Sequence, residues 1–99
     1  MKVRTLGLAD AIELASILAP YVNVKSIRPD SDALEFIAGI VEKVSPQEYL
    51  RCVCIMTKKT EEDVKKEDYS VILASFIAGL QRNRIISLLS FYKSLGFNA

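Results

Sequence analysis

The longest stretch of this chain without a charged side chain runs from Tyr69 to Gln81, thirteen residues bounded by Asp68 and Arg82. As an α-helix it would cover roughly 20 Å, against a hydrocarbon core of roughly 30 Å. It is too short to span a membrane, and apolar on nearly every side, which suits a helix in the middle of a bundle. The basic start, Met1-Lys2-Val3-Arg4, is followed by an apolar segment that Asp10 and Glu13 interrupt, whereas a secretory signal needs an unbroken apolar core. The expectation is a soluble, intracellular protein. With 99 residues there is room for one compact domain, residues 1–99.

The remaining periodicity is helical and its boundaries are well marked. Leu8, Ile12, Ala15 and Leu18 recur at three- and four-residue intervals, with Leu14 and Ile17 widening the stripe, until Pro20 ends the segment. Tyr21 to Pro29 reads as a connector in which Val22-Asn23-Val24 would pair as a short extended piece. Asp32 and Glu35 are spaced as a capping box, opening a helix whose Leu34, Ile37, Val41 and Val44 face the core with Phe36 and Ile40 alongside. Ser45-Pro46-Gln47-Glu48 stops that helix and starts the next, with serine at the cap and proline in the first turn. Tyr49, Leu50, Val53, Ile55 and Met56 follow. Thr60 is a further cap, leading into a charged turn that ends at Asp68. The fold class is all-α, a bundle of five or six short helices.

The last third differs in character. Residues 1–70 hold 10 basic and 12 acidic side chains, whereas residues 71–99 hold Arg82, Arg84 and Lys93 and no acid. From Val71 to Leu80 one face carries Ile72, Leu73, Phe76, Ile77 and Leu80, and the other carries the small residues Ala74, Ser75, Ala78 and Gly79. Past Arg82-Asn83-Arg84, where Asn83 would cap the last helix, Ile85, Leu88, Leu89 and Tyr92 form one line that Ile86, Phe91 and Leu95 broaden. The arc spans about 220° at 100° per residue and leaves Ser87, Ser90 and Ser94 as a polar strip. Gly96 before Phe97 reads as a glycine C-cap. A small bundle hides less helix circumference than this, so the line from Ile85 to Leu95 reads either as pure core or as a surface for self-association or for a partner helix. Its candidate residues are Ile85, Ile86, Leu88, Leu89, Phe91, Tyr92 and Leu95.

No catalytic apparatus accompanies this surface. Histidine is absent, which removes serine–histidine and cysteine–histidine chemistry and histidine metal sites. Cys52 and Cys54, the only cysteines, would point about 200° apart on one helix, and zinc would want two more ligands. They read as small buried apolar residues, with no metal and no cofactor. Glu61, Glu62, Asp63, Glu67 and Asp68 among Lys58, Lys59, Lys65 and Lys66 read as a solvated face with helix ion pairs. The tetrapeptide Phe-Ile-Ala-Gly occurs at 36–39 and again at 76–79 with unrelated flanks, which suggests two similar packing needs and not a repeat. A formal net charge of +1 gives no bulk attraction to nucleic acid.

The order of these features resembles the small tail assembly chaperones of long-tailed bacteriophages (siphoviruses) and related prophages. The resemblance is carried by Leu8-Ala9-Asp10-Ala11-Ile12-Glu13-Leu14-Ala15-Ser16-Ile17-Leu18 and by the Asp-rich start Asp30-Ser31-Asp32-Ala33-Leu34-Glu35-Phe36. It continues through the Ser45-Pro46-x-Glu48 helix, Gly79-Leu80-Gln81-Arg82-Asn83 and the aromatic-rich Leu89-Ser90-Phe91-Tyr92-Lys93-Ser94-Leu95-Gly96-Phe97, covering most of the chain. It implies a non-enzymatic protein of the infected bacterial cytoplasm, not expected in the mature virion. Such chaperones coat the tape measure protein and keep it soluble until the tail tube polymerises around it. Often they self-associate, and a longer form made by translational frameshifting is thought to recruit tube subunits. Two rival readings are a small helical structural phage protein of the head–tail connector type, and a regulatory module binding DNA through Arg82, Arg84 and Lys93.

Overall fold

A computed structural model describes residues 1–22 and 32–96. The chain is all-α: among the described residues there are six α-helices, one 3₁₀ turn and no strand. The extended piece expected at Val22-Asn23-Val24 lies mostly outside the described residues.

The first helix, α1, spans Leu8–Leu18 and buries Leu14, Ala15, Ile17 and Leu18. Pro20 ends the α-helical geometry, as expected, and the chain tightens into a 3₁₀ turn over Ala19–Tyr21. Helix α2 spans Ala33–Lys43, and its cap is Asp32, whose carboxylate accepts from the Leu34 and Glu35 amides. Helix α3 spans Pro46–Thr57. Ser45 Oγ accepts from the Glu48 amide at 3.4 Å, and the helix closes on Lys58 in the left-handed region at φ +59°. The short α4, Glu61–Lys65, is capped by Thr60 and buries Val64 completely. Helix α5 spans Tyr69–Arg82 and α6 spans Ile85–Ser94. Gly96 lies beyond α6 at φ +83°, the left-handed geometry expected of a glycine at that place.

One core unites these elements. Leu14 and Leu18 of α1, Ile37 and Ile40 of α2, Val53 and Met56 of α3, Phe76 and Leu80 of α5, and Ile85 and Leu89 of α6 are all essentially inaccessible. Helix α3 packs against α1, α4 and α5, while α2 lies across α5 and α6, and α1 lies on α6. The radius of gyration is 12.7 Å, near the roughly 13 Å of a folded chain of this length.

Two expected core residues are outside it. Leu8 is 65% exposed and Leu34 is 60% exposed. Both sit in the first turn of their helix. Periodicity tells which face is apolar, but not how far along the helix the neighbouring elements reach.

Helix α5 is not enclosed on every side either. Ser75 and Gly79 of its small face are buried, whereas Ala74 and Ala78 are exposed and Ile72, Leu73 and Ile77 are half-buried. The close approach expected there comes from α3: a β-carbon on Gly79 would collide with the Met56 sulfur and lie 2.9 Å from its Cε. At the other Phe-Ile-Ala-Gly, no described residue comes within 4 Å of such a carbon on Gly39. The two copies therefore answer different packing needs, contrary to the sequence reading.

Candidate partner-binding surface

Helix α6 is positioned by the corner that precedes it. Helix α5 ends at Arg82, and α6 departs at 58°. Arg84 occupies the left-handed region at φ +48° and α6 begins with no side-chain cap. Asn83 does not cap α6. It closes α5 instead: its Nδ2 donates to the Gly79 carbonyl at 2.9 Å and to the Arg4 carbonyl at 3.0 Å, while its Oδ1 accepts from the Leu6 amide at 2.8 Å. The segment before α1 is thereby strapped to the corner. Arg82 Nε adds a bond to Thr5 Oγ1 at 3.1 Å. On the α3 side the Arg4 amide donates to the Met56 carbonyl, and the Arg4 guanidinium reaches both the Ile55 carbonyl and Asp10. None of this strap is legible in the basic start, whose sequence speaks only to the question of a secretory signal.

The seven candidate residues of α6 divide into three groups. Ile85 and Leu89 are in the core, at 1% and 0% exposure, and are unavailable to any partner. Ile86, Leu88 and Tyr92 are half-buried and packed against the core. Phe91 and Leu95 are exposed, each at 44%. Leu88, Phe91 and Leu95 fall at i, i+3 and i+7, within about 60° of one another around the helix, and so form a ridge leading to the tip of α6. Ser87, Ser90 and Ser94 are exposed as the polar strip, with Ser94 Oγ donating back to the Phe91 carbonyl. Arg84 and Lys93 are exposed.

Two concavities lie at opposite ends of the α2–α5 pair. One, of about 480 Å³, is bounded by Ala33 and Ile37 of α2, Leu80 and Gln81 of α5, and Arg84, Ile86, Ser87 and Ser90 at the start of α6. The other, of about 360 Å³, is formed by Val41 and Val44 of α2, Pro46, Tyr49 and Leu50 of α3, and Tyr69 and Ile72 of α5. It is the more apolar, and sequence reading missed it because its walls come from the ends of three helices. Tyr49 stacks on Phe76 at 4.4 Å between ring centroids. Its hydroxyl is buried with no hydrogen-bond partner among the described residues, and its pKa is pushed up to about 12 by burial and by neighbouring Tyr69. Tyr69 itself is 76% exposed.

The cysteines occupy different environments. Cys52 is fully buried, and burial together with Glu48 pushes its thiol up to about 12 against the opposing pull of Arg51. Cys54 is half-buried and its thiol is raised by burial and by Glu61, with Lys65 opposing. A raised pKa keeps both as thiols, the unreactive form. Among the described residues no three His, Cys, Asp or Glu side chains come together as a metal site. The acids from Glu61 to Asp68 are exposed, but among the described residues none is ion-paired with Lys58, Lys59, Lys65 or Lys66. Among the described residues the ion pairs are Arg4–Asp10 and Arg51–Glu13, the latter exposed at 3.6 Å and worth no more than about 1 kcal/mol.

Among the described residues no single helix is long and apolar enough to cross a membrane; α5 and α6 reach that length only as the bent pair. Compared with protein-family models, with curated proteins and with solved structures, the chain matches none of them.

Proposed function

We propose that this chain is a tail assembly chaperone of a bacteriophage or prophage, which binds the tape measure protein and keeps it soluble in the bacterial cytoplasm without catalysing a reaction. The observation that carries the reading is the α6 ridge: Phe91 and Leu95 stand exposed at its tip, on a helix held firmly by Ile85 and Leu89. A tape measure presents long apolar helical stripes, and a rigid ridge with residues at i, i+3 and i+7 is suited to lie along such a stripe. Each contact is small. Many copies on one long partner would gain strength through multivalency. The helix order and spacing described in the sequence supply the family resemblance that narrows an apolar helical partner to the tape measure. A longer frameshifted form would add the tail tube protein as a second partner.

Co-expression with the adjacent tape measure gene tests the reading. The expected result is co-purification and a gain in tape measure solubility, both lost with Phe91→Ser combined with Leu95→Ser. Absence of co-purification with the natural sequence would overturn it.

A further inference from the structure

Nothing local to the sequence asks for a break between α5 and α6. Only Asn83 and Arg84 separate the two helices, and no glycine or proline stands between Gly79 and Gly96. Sharp helix bends ordinarily have such a residue as their cause. Arginine is a good helix former, yet Arg84 carries the left-handed geometry, at φ +48°, which is unfavourable for any side chain with a β-carbon. Asparagine tolerates that region far better, but Asn83 stays outside it at φ −93°. Helix α6 then starts without a side-chain cap. Among the described residues, the amides of Ile85, Ile86 and Ser87 donate to no carbonyl across the corner.

The break is imposed from a distance. Asn83 gives its side chain to the strap, through the Arg4 carbonyl and the Leu6 amide, and Arg82 adds its bond to Thr5. Beyond the corner, Ile85 and Leu89 are sealed in the core, and α6 packs on α1 and α2. Both restraints are tertiary. Without them the local preferences favour continuation: Arg84 would return to right-handed geometry, and the first amides of α6 would take the carbonyls that end α5.

We propose that this corner is a conformational switch held shut by the strap. When residues 4–6 let go of Asn83, α6 swings off α1 and α2 and continues α5 as one helix over residues 69–94. A turn of 58° carries the tip of α6, an arm of roughly 15 Å, through roughly 15 Å. The open form presents Ile85 and Leu89, the inner part of an apolar arc whose outer residues Phe91 and Leu95 are already exposed. The closed form predominates in the isolated chain because it keeps those two side chains from water. A partner that covers the inner face draws the equilibrium open, and by linkage whatever displaces the strap strengthens that partner's binding. The chaperone reading uses the outer ridge alone, so the switch goes beyond it and does not depend on the partner's identity.

Thiol labelling of the purified chain, with no partner present, tests this separately from the proposed function. Leu89→Cys reports on release of α6, Cys54→Ala removes the half-buried thiol, and Cys52, fully buried in α3, reports on global opening. Each rate is referred to that of the urea-unfolded chain. Position 89 is expected to label faster than Cys52 by roughly tenfold or more, the mark of an opening smaller than global unfolding. Asn83→Ala should widen that ratio by roughly tenfold, through loss of the strap bonds. Arg84→Gly should narrow it, since glycine relieves the closed corner and disfavours a continuous helix. Arg84 is exposed, so this variant carries the test should Asn83→Ala fail to fold. Equal rates at the two thiols, or a ratio that neither substitution moves, would overturn the proposal. Spin labels at Ala74→Cys and Ser94→Cys, both exposed, distinguish straightening from melting in a chain that also carries Cys54→Ala, Asn83→Ala and Leu89→Ala. A narrow distance roughly 5 Å longer than in the closed chain is expected. An unchanged distance or a broad distribution would equally overturn the switch.

Discussion

Met56 lies across Gly79 so closely that no β-carbon fits between α3 and α5. Both residues are buried, and the methionine is fully enclosed by core side chains, so it has little space to retreat. Gly39, in the middle of α2, has open space among the described residues where its β-carbon would be. Alanine should therefore have opposite effects at the two positions. Gly39→Ala gains helix propensity and should stabilise by about 0.5–1 kcal/mol. Gly79→Ala has the same gain but must displace Met56, an overpacking cost of about 1–3 kcal/mol, and should destabilise on balance. Urea denaturation of both variants measures the difference in sign.

Asn83 replaced by alanine should loosen two segments that are far apart in sequence and meet at this side chain. The variant loses the closing bond on α5 and both bonds to the strap. A cost of about 2 kcal/mol is expected for bonds of this kind in a partly buried setting. The specific readout is hydrogen exchange at the Leu6 amide, which should lose protection while core amides of α1 change only by the global loss. Unchanged Leu6 protection would show that Asn83 does not hold the strap.

Stability should fall at alkaline pH. Cys52 and Tyr49 have folded-state pKa values of about 12, against ordinary values of 9.0 and 10.0. Below pH 9 both groups are protonated whether the chain is folded or not, and neither contributes a pH dependence. Between about 9 and 12 the unfolded chain ionises first, so unfolding releases protons and stability declines with rising pH. Cys52→Ala should be less stable at neutral pH but should show a shallower decline. Denaturation midpoints at pH 8 and pH 10.5 would measure both slopes.

The inner and outer residues of α6 should separate by their effects. Leu89→Ala and Ile85→Ala remove fully buried side chains and should each cost about 2–5 kcal/mol. Phe91→Ser with Leu95→Ser should alter stability little, while abolishing capture of the proposed partner. Thermal unfolding alongside co-purification distinguishes the two pairs. A large stability loss in the outer pair would mean that the ridge belongs to the core.

What could be read from the sequence was mostly local. Asp32, Ser45 and Thr60 cap helices because a short polar side chain reaches an amide two or three residues ahead, with no help from the rest of the fold. Gly96 is equally local. Long-range features escaped. The strap bonds join residues 77 and 79 positions apart, and Asn83 could be recognised as a cap without revealing which helix it closes. In α6 the apolar arc was evident, but only the placement of α1 and α2 decides that Ile85 and Leu89 turn inward and Phe91 and Leu95 outward. The groove around Tyr49 was illegible for the same reason: it exists only where three helix ends converge.

The corner at Arg84 sets the direction of α6. A residue with a β-carbon held at φ +48° stores about 1 kcal/mol or more, so its neighbours on either side, Asn83 and Ile85, must clamp it in place. Helix α6 is an arm of 10 residues, roughly 15 Å long, and a backbone rotation of about 10° at the corner would swing its tip by roughly 3 Å. The aim of Phe91 and Leu95 is therefore governed at a residue that lies outside their own helix.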